Sequence, residues 1–185
     1  HRVLLSFTYW GRSMTIRLLM LSLSILLLSA CAGGPPPDPV TVHLTALNAK
    51  EKQRFYDGRH SSPPLLDVNR PLNEDQKQWH STDLTWKETA EGWHARLRFI
   101  SPDAKGLRVG LCIEPADLPM TLSIEESGGA INVPASKLGV VCENQSMFFL
   151  PLVGGDTITL RFETPPRNLP PAFDLTIHRV QHRGN

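Results

Sequence analysis

Few residues of this chain have chemistry beyond packing. The three cysteines stand at positions 31, 112 and 142. Cys31 follows a largely apolar run, Leu18 to Leu28, and the small pair Ser29-Ala30. Neither Cys112 nor Cys142 sits in a C-x-x-C pair, and no histidine follows at ligand spacing, so a zinc or thiol-catalytic role is not expected. His178 and His182 are four apart, a spacing that suits a metal pair on a helix. Their surroundings alternate like a strand, which would separate them by about 13 Å. His80 and His94 have no partner motif. A serine hydrolase needs a nucleophile elbow, and no G-x-S-x-G occurs. Gly154-Gly-Asp156 reads instead as a hairpin turn. Arg96, Arg98 and Arg108 could line one outward face and hold an anion, but a solvated face balanced by acidic neighbours is the simpler expectation. Trp79, Trp86 and Trp93 recur at seven-residue intervals and could stack on sugar rings. Trp93 shares parity with Leu97 and Phe99, which argues for core packing there. With no Walker loop, dinucleotide fingerprint or EF-hand loop, no catalytic residue, metal or cofactor is assigned.

The elements that must position these side chains are strands. Trp93-His-Ala-Arg-Leu-Arg-Phe99 alternates with period two, placing His94, Arg96 and Arg98 on the face opposite Ala95, Leu97 and Phe99. Residues 107–111, 121–124, 157–162 and 173–177 repeat the pattern, and 84–87, 138–142 and 147–151 are shorter candidates. Turn signals separate them, among them Ala90-Glu-Gly92, Ser101-Pro-Asp103, Ser127-Gly-Gly129 and Pro165-Pro166. About eight short strands, each with one apolar face, predict an all-β fold, a two-layer antiparallel β-sandwich of jelly-roll-like type. A single sheet would leave the apolar face wet. Residues 41–63 read as an irregular or weakly helical lead-in, with Ala46 to Tyr56 the one helix-like stretch, and the sandwich is expected over 64–185.

The opening residues give an address. Met14-Thr-Ile-Arg17 is a short positive segment, and the apolar run after it is too short to span a bilayer, which takes about 20 residues. It has the length of a secretory signal peptide, here residues 14–30. Residues 1–13 precede that complete signal and read as upstream sequence translated from an early start. Leu28-Ser29-Ala30-Cys31 resembles the bacterial lipoprotein signal, the lipobox. The resemblance implies that Cys31 is freed by cleavage and acylated, so that a lipid bilayer is the chain's first partner. Several acyl chains at ~0.8 kcal/mol per buried CH2 would make a durable anchor. By resemblance to lipoprotein sorting in diderm bacteria, Ala32 rather than Asp after the cysteine implies the outer membrane, facing the periplasm. Residues 31–40, rich in Gly and Pro, read as an extended tether that lifts the folded part off the headgroups. In an exported domain the remaining pair, Cys112 and Cys142, is expected to form a disulfide.

Three of the 19 basic residues, Arg2, Arg12 and Arg17, precede Cys31 and no acidic residue does, so the mature part has 16 against 18 and a net charge of −2. That is no footprint for nucleic acid, which needs a clustered basic face. Leu66-Asp-Val-Asn-Arg-Pro-Leu72, Leu84-Thr-Trp86, Gly92 to Phe99, Ser101 to Leu111, Leu118-Pro119, Gly155 to Leu160 and Ile177 to His182 come in an order that resembles a known module. It is the β-sandwich domain that precedes the catalytic domain in some secreted bacterial trypsin-like and lysyl endopeptidases. The resemblance covers about 64–182 and implies an accessory, non-catalytic role; no peptidase follows Asn185 in this sequence. Three functions are therefore expected, none enzymatic. The first is an envelope lipoprotein whose sandwich binds another envelope or secreted protein. The second is an accessory module of a secreted serine peptidase, in trans or as a fragment, and the third a carbohydrate-binding sandwich.

Overall fold

The computed structural model describes residues 35–59, 67–125, 131–143 and 147–184. The leader with Cys31, the Ser127-Gly128-Gly129 turn and residues 64–66 lie outside the described residues.

Two sheets pack face to face. The first runs β1 (Val40–His43), β5 (Gly92–Ile100), β11 (Thr157–Thr164), β7 (Thr121–Glu125) and β8 (Ile131–Pro134), with β4 (Lys87–Thr89) also on β5. The second runs β10 (Val153–Gly154), β6 (Gly106–Glu114), β12 (Asp174–Arg183) and β2 (Asp67–Arg70). Within it β3 (Gln78–His80) pairs β12, and β9 (Phe148–Phe149) pairs β6.

The period-two pattern explains why the layers close. Leu97 and Phe99 of β5, Leu160 and Phe162 of β11, and Leu122 and Ile124 of β7 are fully buried. They meet Leu107, Val109, Leu111 and Ile113 of β6, and Leu175, Ile177 and Val180 of β12. Each such side chain contributes roughly 1.5–3 kcal/mol by leaving water. Phe162 and Phe173 stack with ring centroids 5.7 Å apart, and Trp86 meets Phe173 edge-on at 6.1 Å. Gly92 opens β5 at φ 131°, where a Cβ would stand 1.7 Å from the Thr164 carbonyl oxygen. Only glycine fits that position.

The predicted sandwich is present, with three differences of detail. β1 pairs β5 in parallel, Val42 opposite Phe99, so the first sheet is mixed rather than antiparallel. It lies in the stretch expected as tether and lead-in, so the sheet recruits residues well before 64. Residues 138–142, expected as a strand, belong to helix α3 (Ala135–Glu143). A short apolar run does not distinguish the two states by pattern. Here Leu138 and Cys142, one helical turn apart, turn to the core and to a disulfide respectively. Gly139 lets α3 approach closely, since a Cβ there would sit 2.2 Å from Ala116. The lead-in does form a helix, α1 (Ala49–Arg59), while α2 (Glu74–Lys77) is a single turn before β3. Asn48 caps α1 reciprocally: the Glu51 amide donates to Asn48 Oδ1 and the Asn48 amide to Glu51 Oε2, each at 2.9 Å.

Candidate functional site

The outer face of the first sheet carries a polar layer that the alternation of β5 sets up. Register places Glu163 opposite His94, Arg161 opposite Arg96, and Thr159 opposite Arg98. β7 adds Ser123 and Glu125 beside them. Arg96 pairs closely with Glu125, and Arg161 Nη2 lies 2.6 Å from Glu163 Oε1. His94 Nδ1 is 3.4 Å from the same Glu163 oxygen, and His94 Nε2 is 2.8 Å from Thr89 Oγ1. Arg98 Nε donates to Thr159 Oγ1 at 3.2 Å. His94, for which the sequence offered no partner, is 5% exposed because these neighbours close over it. Arg108 does not join the layer. It belongs to the second sheet, over the Phe149 ring at 4.6 Å, with Nε donating to the Leu150 carbonyl.

Chain that the sequence suggested was free spacer lies on this layer. Arg96 Nη1 donates to the Pro37 carbonyl at 3.3 Å, and Lys87 Nζ donates to the Pro35 carbonyl. Pro37 is buried. From Pro35 onward the proline-rich stretch is thus bound to the sheet.

A second cluster lies under α1. β12 is bulged between Ile177 and Arg179. The extra residue, His178, is exposed, and the phase beyond it shifts so that Val180 and His182 turn inward. His182 Nδ1 is 2.9 Å from Ser101 Oγ, and each residue is 1% exposed. Arg70 of β2 is also buried; its Nη2 donates to the Thr45 carbonyl, and Nη1 lies 3.8 Å from Glu51 Oε1. Burial, then the Arg70 charge, hold the His182 pKa below its ordinary value, while Asp103 and Glu51 oppose the shift. A cavity of about 400 Å³ opens beside it, lined by Leu47, Lys52, Phe55 and Asp103 among others.

A serine on a histidine is the start of a nucleophilic pair. Ser101 is closed to solvent, however, so its oxygen has no path to a substrate carbonyl, and the described residues show no carboxylate hydrogen-bonded to His182. The contact satisfies two buried polar groups where the β5–β6 turn meets β12. Ser101 and Arg70 had not been singled out in the sequence. Val180, out of phase with Leu175 and Ile177, was the signal that would have located the bulge and its inward histidine.

Cys112 and Cys142 are disulfide-bonded, Cα to Cα 5.3 Å, tying β6 to α3. His178 Nε2 lies 3.3 Å from Cys112 Sγ, and His80 Nδ1 2.6 Å from Asp174 Oδ1 at the surface. The described residues contain no group of three or more histidine, cysteine, aspartate or glutamate side chains placed to hold a metal ion. Trp79 and Trp86 are half-buried against the core, donating their indole N–H to the Gln76 and Ser81 carbonyls. Trp93, expected in the core, is half-buried at the end of β5, with its indole donating to the Arg167 carbonyl.

The sequence model of a family described as the lysyl endopeptidase N-terminal domain matches residues 38–183. The chain belongs to that family. The match confirms the resemblance noted over 64–182 and carries it back to β1, in agreement with the place of that strand in the sheet. No curated protein and no solved structure matches the chain.

Proposed function

We propose that this chain is a non-catalytic accessory module of a secreted lysyl-type serine peptidase, held at the bacterial envelope by acylated Cys31. The observation that carries the peptidase connection is the family match over 38–183, which spans both sheets. The closed Ser101–His182 contact supports a binding rather than a catalytic role. Lipobox, small-residue pair and cysteine in register support the anchor, with the outer membrane and a periplasmic orientation as its address. In this reading the sandwich acts in trans, recognising the folded peptidase as it passes through or leaves the envelope.

Two measurements test the halves separately. Immobilised mature chain should retain the peptidase from the secreting cell's medium, and a denatured chain should not. Mass spectrometry of the native protein should place acyl chains on Cys31 and find residues 1–30 removed. Retention without acylation would leave the peptidase half standing and remove the anchor. Acylation without retention would favour a different envelope protein as partner.

A further inference from the structure

We infer that the outer face of the first sheet lies against the anionic headgroups of the bilayer that holds the anchor. This rests on the reading of Cys31 as the lipid-bearing residue and adds an orientation that the anchor alone does not supply.

The leash between anchor and sheet is short. Among the described residues Pro35 already lies on the sheet, its carbonyl accepting from Lys87, and Arg96 takes the Pro37 carbonyl. Only four residue steps separate Cys31 from Pro35. Fully extended, they reach about 14 Å. A folded body of some 150 residues is roughly 35–40 Å across, judged from its expected radius of gyration. The anchored lipid therefore stays near the Lys87 side of the first sheet. It cannot reach round to the outer face of the second.

The mature part is net negative, yet this face carries Lys87, Arg96, Arg98 and Arg161 against Glu125 and Glu163. Both carboxylates are taken up in pairs with Arg96 and Arg161. Among the described residues Arg98 binds a neutral threonine oxygen and Lys87 a backbone carbonyl, and neither is paired with a carboxylate. An anionic lipid surface is the partner that complements such a face at the distance the leash imposes. Each cation near such a surface is worth about 1 kcal/mol, roughly a fivefold change in partitioning. The effect falls off over a Debye length of about 8 Å at physiological salt. The second sheet would then face away from the bilayer, toward a peptidase.

The test couples the mature chain, residues 31–185, through its Cys31 thiol to maleimide-headgroup lipid in vesicles. The disulfide occupies the other two cysteines. Nitroxide-headgroup lipid then broadens amide NMR signals by proximity. In phosphatidylglycerol-rich vesicles the signals of β4, β5 and β11 should broaden more than those of β6 and β12. The contrast should fade in phosphatidylcholine alone and at high salt. The K87E/R98E variant should lose it, and R179E, on the second sheet, should keep it. For untethered chain carrying Cys31→Ser, K87E/R98E should lower partitioning to the anionic vesicles at least about 25-fold. Equal broadening of both sheets, the same contrast on neutral lipid, or an equal loss from R179E would overturn the inference. An unacylated Cys31 in cells would instead overturn the anchor, a separate result obtained by mass spectrometry.

Discussion

Removing the Cys112–Cys142 bond should destabilise the domain chiefly through the unfolded chain. The cysteines are 30 residues apart. In the chain-entropy model a closed loop of that length contributes about 3.5 kcal/mol at 25 °C. The native state gives back little of this when both are changed to alanine. Leu138 stays fully buried and Gly139 stays packed on Ala116, so α3 remains docked by other contacts. Unfolding entropy for a body of this size is about 0.3 kcal/mol per kelvin, so the loss corresponds to a Tm drop of about 11 °C. The assay is thermal and urea unfolding of C112A/C142A beside the oxidised and reduced wild type. Reduced wild type should coincide with the variant, and the urea m-value should rise as the unfolded chain expands. A Tm change under about 2 °C, or a large loss with an unchanged m-value, would refute the reasoning. In the second case the bond would be acting by holding native structure.

Other perturbations follow from the packing. Gly92→Ala forces a side chain into positive φ and onto the Thr164 carbonyl. It should cost at least about 2 kcal/mol in urea unfolding, whereas Gly154→Ala, which meets open space, should cost under about 0.5 kcal/mol. Leu160→Ala, between β5 and β7 and fully buried, should cost about 3–5 kcal/mol, read from the urea midpoint. His182 has a folded pKa below the unfolded value of about 6.5, so the unfolded state binds the proton first. Stability should therefore be full above pH ~6.5, fall as the pH drops toward the folded pKa and level off below it. His182→Gln should remove that slope while leaving the rest of the pH profile. Arg70→Leu should cost about 2–3 kcal/mol, and hydrogen exchange should find the loss concentrated in α1, which Glu51 ties to the second sheet.

Alternation made the central strands legible. Residues 93–99, 107–111, 121–124 and 157–162 each had one apolar face, and each is a strand whose apolar face is buried. The disulfide was legible from the expected compartment and cysteine parity. What stayed hidden depended on neighbours in space. Val40–His43 has four residues and takes its place from the β5 edge it pairs and from Val42 entering the core. Residues 138–142 could have been strand or helix until Leu138 and Cys142 found separate partners. His94 sits on the polar parity of its strand, but Glu163 and Thr89 come from strands whose register local sequence does not fix. The proline-rich stretch has the composition of a spacer, and it is bound because two long cationic side chains reach its carbonyls.

The account stands on recognition of a peptidase by this sandwich. Calorimetric titration of the mature, disulfide-bonded chain with a secreted lysyl endopeptidase from the same cell measures it directly. A saturable one-to-one complex of micromolar affinity or tighter is expected, with the chain itself left uncleaved. No heat of binding at concentrations well above that range would contradict it.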